Sequence, residues 1–171
     1  MKPVLPTARV WRLGADIDTD VLAPGMYMKH SLEVIATHCL ESVRPDFATG
    51  VRAGDVVVAG PNFGIGSSRE QAAGVLRHLG VAAVIAPAYS GLFFRNALNL
   101  GLLLLTCAQA ESLQEGQRVG LAWDDPTQPP RVYTDDARVL TCAPVPEFLL
   151  DMVRAGGLLP ALTQKFKTHV S

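Results

Sequence analysis

The chain has 171 residues, a net charge of −1, and 49% apolar residues, of which few are aromatic. That is the length of one domain, with apolar material for a core built mainly of Val, Leu and Ala. Without a Lys/Arg-rich run there is no basic stripe for nucleic acid, and the longest apolar run, "ALNLGLLLLTCA", falls short of the roughly 20 residues that span a bilayer.

The opening "MKPVLPTARV" lacks the apolar centre of a secretory leader, so the expected location is cytoplasmic. "ARVWRL" (8–13) reads as a strand. "GADIDTDVLAPG" (14–25) reads as a loop punctuated by Gly, Asp and Pro. In "SLEVIATHCLE" (31–41), Leu32, Ile35, Ala36, Cys39 and Leu40 recur at helical spacing. "RPDFATGVRAGD" reads as a connection, and "VVVAG" (56–60) as a buried strand. The spacing predicts a helix from Ser67 to Leu79, with Ala72, Ala73, Val75, Leu76 and Leu79 on one face and a stop at Gly80. "VAAVIAP" (81–87) is a second buried strand. "SGLFFRNALNLG" (90–101) predicts a helix with Leu92, Phe93, Ala97 and Leu98 inward, and "LLLLTC" (102–107) a further strand. This β-α-β-α-β order implies parallel strands with helices packed on them. Then "QRVGLAW" and "ARVLTC" read as short strands separated by a Pro-rich turn, "DDPTQPPRVYTDD", and "PEFLLDMVRAGGLLPALTQK" closes the chain as a helical stretch. The expectation is an α/β fold: a single domain over 1–171, with a central parallel or mixed sheet flanked by helices and an additional C-terminal β-rich part, in β/β/α layers.

Cys39, Cys107 and Cys142 are odd in number and far apart, with no CxxC, which suits a reducing compartment. They do not form a complete zinc or iron–sulfur ligand set, and His30, His38, His78 and His169 show no HxxxH spacing. No metal site is expected in this chain.

Chemistry concentrates in "NFGIGSSREQAAG" (62–74). A dinucleotide fingerprint would need a third glycine where Arg69 stands, and the GK[ST] of a phosphate loop is absent. A plain helix start explains much: Ser67 as N-cap, Glu70 as its N3 partner, a capping box worth about 1 kcal/mol, with Gly64 and Gly66 turning the chain. It leaves Arg69 unexplained, because a cation in the first turn opposes the helix macrodipole by about 0.3–1 kcal/mol. A functional reading uses that tension. Unpaired amides at a helix tip favour an anion, Arg69 adds a planar fork suited to carboxylate, and the same field would stabilise a deprotonated serine acting as a base.

In "DIDTDVLAPG", Asp16, Asp18 and Asp20 alternate as at the start of a calcium loop. That loop requires Gly at its sixth position and Glu at its twelfth, where this chain has Val21 and Tyr27. An acidic turn bonding local amides remains.

Taken together and in order, "DTDVLAPG…YMK", "NFGIGSSRE" and "FFRNALNLGL" resemble the small-subunit family of 3-isopropylmalate dehydratase and its relatives, the stand-alone form of the aconitase swivel domain. The resemblance runs from about residue 10 to 165. It implies a hydro-lyase acting on hydroxy di- and tricarboxylic acids, with 3-isopropylmalate and leucine biosynthesis foremost and homoaconitate, dimethylmalate, citraconate or maleate as alternatives. It implies a heteromeric enzyme whose large subunit holds a [4Fe-4S] cluster, one iron acting as Lewis acid on the leaving hydroxyl. By resemblance Ser67 is the alkoxide base, while Ser68 and Arg69 hold substrate carboxylate. Thr19 and Asp20 belong to the loop in which the aspartate supports an acid of the large subunit, and Gly64 and Gly66 shape the anion loop. Lys29, in "YMKH", falls in the substrate-selecting loop, where a cation suits an extra carboxylate. Ile65 and Gln71 replace the family's usual Cys and His, and Ala88 and Gly91 its Ser and Arg. A different class stays open, a non-catalytic carboxylate-binding or regulatory subunit on the same fold.

Overall fold

Residues 4–170 are described by a computed structural model. The first three positions of the N-terminal segment, and the two ends of the 1–171 domain span, lie outside the described residues. Four short strands with apolar side chains on both faces line up in parallel: β1 (Ala8–Arg12), β2 (Val56–Val58), β3 (Ala83–Ala86) and β4 (Leu103–Thr106). Val10 stands opposite Val56, Val57 opposite Val84, and Val84 opposite Leu104. On the free edge of β1, three antiparallel strands extend the same sheet: β5 (Arg118–Ala122), β6 (Arg131–Thr134) and β7 (Val139–Thr141). The order is β4-β3-β2-β1-β5-β6-β7.

The two-residue period of a strand sorts these side chains into two cores. Trp11, Val57, Val84 and Leu104 face the helices. Val10, Val56, Val58, Ile85, Leu103 and Leu105 face the other way and pack with Val119, Val132 and Leu140 of the antiparallel strands. The sheet therefore curls, its C-terminal half covering one face of the parallel half. This is the β/β/α layering the sequence implies, with the appendage continuous with the sheet rather than separate from it.

The helix layer is α1 (Thr19–Leu22), α2 (Leu32–Thr37), α3 (Phe47–Gly50), α4 (Gln71–His78) and α5 (Gly91–Asn99). Two further helices, α6 (Glu147–Arg154) and α7 (Leu158–His169), replace the single C-terminal helical stretch, parted at Gly156 and Gly157.

Several expectations are corrected. The 14–25 loop contains α1, because Asp18 accepts from Val21 N at 2.8 Å and caps it. The 31–41 helix ends at Thr37, where the chain turns and Leu40 takes a left-handed φ of 61°. The 44–55 connection includes α3, anchored by buried Phe47 against Trp11. Leu92 is exposed on α5, whereas Phe93, Ala97 and Leu98 are buried as expected. The Pro-rich turn contains β6: its prolines precede the strand, and Val132 and Thr134 alternate inward. The helix expected from Ser67 begins only at Gln71.

Candidate active site

Three loops meet at the carboxyl ends of the parallel strands, the edge where open α/β sheets collect ligands. The loop after β1 lies along the loop after β2. Asp18 bridges Ile65, Thr19 N donates to Ile65 O at 2.8 Å, and Gly64 N donates to Ile17 O at 2.7 Å. The loop after β3 joins them, with Phe63 N on Ala88 O and Ser90 N on Phe63 O. Two glycines allow this approach. Gly64 has φ 81°, and a Cβ there would fall on the Phe93 ring; Gly66 has φ 108°, with its Cβ position 3.0 Å from Thr19 Oγ1.

Thr19, almost fully buried, turns its hydroxyl to the irregular segment 67–69. Its Oγ1 accepts from Ser67 N at 3.0 Å and lies 3.1 Å from Ser67 Oγ. Arg69 Nε donates to the same Ser67 Oγ at 2.7 Å, a charge-assisted bond. Arg69 Nη1 donates to Ala23 O at 2.8 Å and to Asp20 Oδ1 at 3.2 Å, and Asp20 Oδ1 also accepts from Gly25 N at 2.8 Å. Ser67 and Ser68 are exposed and the Asp20 side chain is 68% exposed, so the cluster is ordered by its own bonds yet open to a second surface.

The capping box is the part of the sequence reading that fails. Glu70, not Ser67, precedes α4, and no side chain caps the helix. The reason is tertiary: Thr19 has already taken the Ser67 amide, and Arg69 the Ser67 hydroxyl. Ser67 therefore stands before the helix, where the macrodipole contributes little, and the polarising group next to it is the Arg69 guanidinium. Arg69 in turn is not in a first turn, which removes the helix-dipole objection to it.

The structure brings Thr19, Asp20, Ser67 and Arg69 into one hydrogen-bonded group. Ser68 is adjacent, its carbonyl accepting from Asn96 Nδ2 at 2.9 Å. Lys29 is exposed in the turn following the 3₁₀ segment Gly25–Tyr27, and among the described residues it forms no hydrogen bond or ion pair with the cluster. Asp16 and Asp18 serve the turn: Asp16 Oδ1 accepts from Asn62 Nδ2, and Asp18 caps α1. The sequence reading missed the Ala23 carbonyl, which a backbone group does not advertise, and Asn96. The signal for Asn96 was there, as an amide set in a short helix that is otherwise apolar on its inner face. Of the departures from the usual pattern, Ala88 serves through its carbonyl, and a Cβ at Gly91 would meet nothing within 4 Å.

The described residues do not fit an iron–sulfur cluster. Cys39 lies in the helix-side core and Cys107 and Cys142 in the other, all buried, and no three His, Cys, Asp or Glu side chains gather as metal ligands. No helix among the described residues is long and apolar enough to cross a membrane.

The Aconitase C-terminal domain family matches residues 42–110. The 3-isopropylmalate dehydratase small subunit 1 of Archaeoglobus fulgidus is 40% identical, over 88% of this chain and 92% of that protein. The chain belongs to the 3-isopropylmalate dehydratase small-subunit family. The crystal structure of a 3-isopropylmalate dehydratase from Methanocaldococcus jannaschii superposes with a TM-score of 0.87 at 31% identity, over 95% of this chain and 96% of that one. The family extends to a second named activity: the methanogen homoaconitase small subunit of Methanothermobacter thermautotrophicus is 38% identical over 95% of this chain and 94% of its own. The swivel-type α/β fold and the hydro-lyase class follow from this membership.

Proposed function

We propose that this chain is the small subunit of 3-isopropylmalate dehydratase, acting in leucine biosynthesis in the cytoplasm as a single swivel-type domain spanning residues 1–171. Its partner is a large subunit that holds the [4Fe-4S] cluster; the described residues gather no ligand set for one. In this reading Ser67, as alkoxide, removes the proton alpha to a substrate carboxylate and becomes the hydroxyl. The observation that carries it is the exposed Ser67 Oγ receiving Arg69 Nε at 2.7 Å. Thr19, already accepting the Ser67 amide, has its own hydroxyl proton free for the same oxygen. Both donors bond more strongly to an anionic oxygen than to a neutral hydroxyl, so Arg69 and Thr19 together favour the alkoxide. The remainder falls to exclusion of water when the large subunit closes over the edge, which strengthens every charge interaction there.

Substrate carboxylate has donors waiting. Among the described residues the amides of Ser68 and Arg69 have no acceptor, and the Ser68 hydroxyl is exposed. Arg69 contributes charge, while its Nε and Nη1 hold Ser67, Asp20 and Ala23. Asp20, engaged through Oδ1 alone, keeps a second oxygen to support an acid of the large subunit. Exposed Lys29 and the homoaconitase relative favour a second reading, a substrate bearing an extra carboxylate. Co-expression with a cluster-bearing large subunit tests the proposal: turnover of 3-isopropylmalate supports it, turnover of homoaconitate alone supports the second reading, and turnover of neither contradicts both.

A further inference from the structure

Beyond the contact between Asp20 and Arg69 the chain leaves the sheet edge as the 3₁₀ segment Gly25–Tyr27 and turns through His30, whose N–H donates to Tyr27 O at 2.9 Å. One end of this segment rests on the proposed carboxylate site. Gly25 N donates to Asp20 Oδ1, and the Gly25 Cβ position lies 3.5 Å from Arg69 Nη1. The other end is held by a second cluster. The Tyr27 ring lies flat on His38, with centroids 3.6 Å apart and planes 9° from parallel. Tyr27 Oη donates to Glu41 Oε1 at 3.1 Å, and His38 Nδ1 lies 2.6 Å from Glu41 Oε2. Glu41 reaches both because buried Leu40 takes its left-handed φ, fixed by Leu40 N donating to Val21 O at 3.0 Å. The bonds from His38 and Tyr27 hold the Glu41 carboxyl below its ordinary range. His38 and Glu41 are partly exposed, so this order is built at the surface rather than imposed by the core. Met26 and Lys29, both exposed, flank the pinned Tyr27.

We propose that Tyr27, His38 and Glu41 are positioning residues that fix segment 25–30 against Arg69, so that Met26 and Lys29 meet the substituent of the substrate that does not react. This rests on the hydro-lyase reading above. The trio acts on binding and leaves the Ser67 chemistry alone, so its loss raises KM while sparing kcat.

The test pairs hydrogen exchange on the full chain with kinetics of the assembled two-subunit enzyme. Tyr27→Ala is expected to speed exchange of the 25–30 amides by about tenfold or more, with the core strands unchanged. In the complex it should raise KM for 3-isopropylmalate about tenfold with kcat within about threefold. Tyr27→Phe, which keeps the stacked ring, should recover most of the affinity, and Glu41→Gln, which keeps an acceptor for Tyr27 Oη, should fall between. Unchanged exchange in Tyr27→Ala overturns the proposal. So does faster exchange with unchanged KM; in both cases a dead Ser67→Ala control leaves the functional reading standing. A wild-type complex inactive on every hydroxy acid tried overturns the functional reading and this proposal together.

Discussion

At the scale of single residues, the proposed proton abstraction depends on what Arg69 does to Ser67. One guanidinium reaches the Ser67 hydroxyl, the Asp20 carboxylate and the Ala23 carbonyl at once, which needs a planar fork with several fixed donors. Lysine supplies a point charge and cannot make all three contacts. Arg69→Lys in the assembled enzyme is therefore expected to lower kcat about 100-fold as well as raise KM, by steady-state kinetics; a change in KM alone would show that Arg69 binds carboxylate without activating the serine. Ser67 and Arg69 were legible in the sequence because their chemistry is unusual, a cation beside two serines after two glycines, whereas Thr19 and Asp20 read locally as an acidic turn and gained a role only from the family resemblance. Their geometry was not. Ser67 and Glu70 carry the local pattern of a capping box, and only the approach of Thr19, from 48 positions earlier in the chain, takes the Ser67 amide away from that role. Local pattern lost to a long-range bond that no spacing rule contains.

At the scale of elements, the site depends on how closely three loops pack. Gly64→Ala would combine a left-handed backbone with a methyl group on the Phe93 ring. Backbone strain and overpacking together cost about 2–4 kcal/mol, read as a lower urea midpoint; an unchanged midpoint would mean α5 does not pack as described. A second connection holds the chain before α3 to the β4–β5 link. Arg44 donates to both oxygens of Glu115, at 2.7 and 2.9 Å, and lies over Trp11. The Arg44 guanidinium holds the Glu115 carboxyl below its usual 4.5. Because the folded value is depressed, Glu115 stabilises the protein above about pH 4.5 and that contribution is lost as the pH falls through the folded value. Wild type should melt a few degrees above Glu115→Gln at pH 7, a modest gap because the pair is partly open to water, and the gap should shrink steadily as the pH is taken below 4.5. A gap that does not shrink on acidification would contradict the assignment. Buried strands such as Val56–Val58 were readable as continuous apolar runs, since both faces are covered. β6 was hidden by the prolines that precede it, and α1 by a loop composition that Asp18 converts into a cap.

At the scale of the molecule, the curled sheet leaves the carboxyl edge of its parallel half uncovered, with Ser67, Ser68 and Asp20 exposed on it. Half a site is what a partner would complete, so the chain alone should show no turnover of 3-isopropylmalate, and added large subunit should restore it; activity in the isolated chain would contradict the two-subunit account. The β-α-β order and the switch to alternating strands were legible in the sequence, whereas the curl was not. It follows from β5 pairing with β1 rather than with its sequence neighbour β4, a choice set by the shared core of Val10, Val119 and Val132. The most direct test of the whole reading follows the proton. In deuterated water, the assembled enzyme with Ser67→Ala should exchange the hydrogen alpha to the substrate carboxylate at least about 1,000-fold more slowly than wild type, a loss of the size expected for a catalytic base, while KM stays within about threefold. Exchange at the wild-type rate would contradict the claim that this serine, held by Arg69, takes the proton.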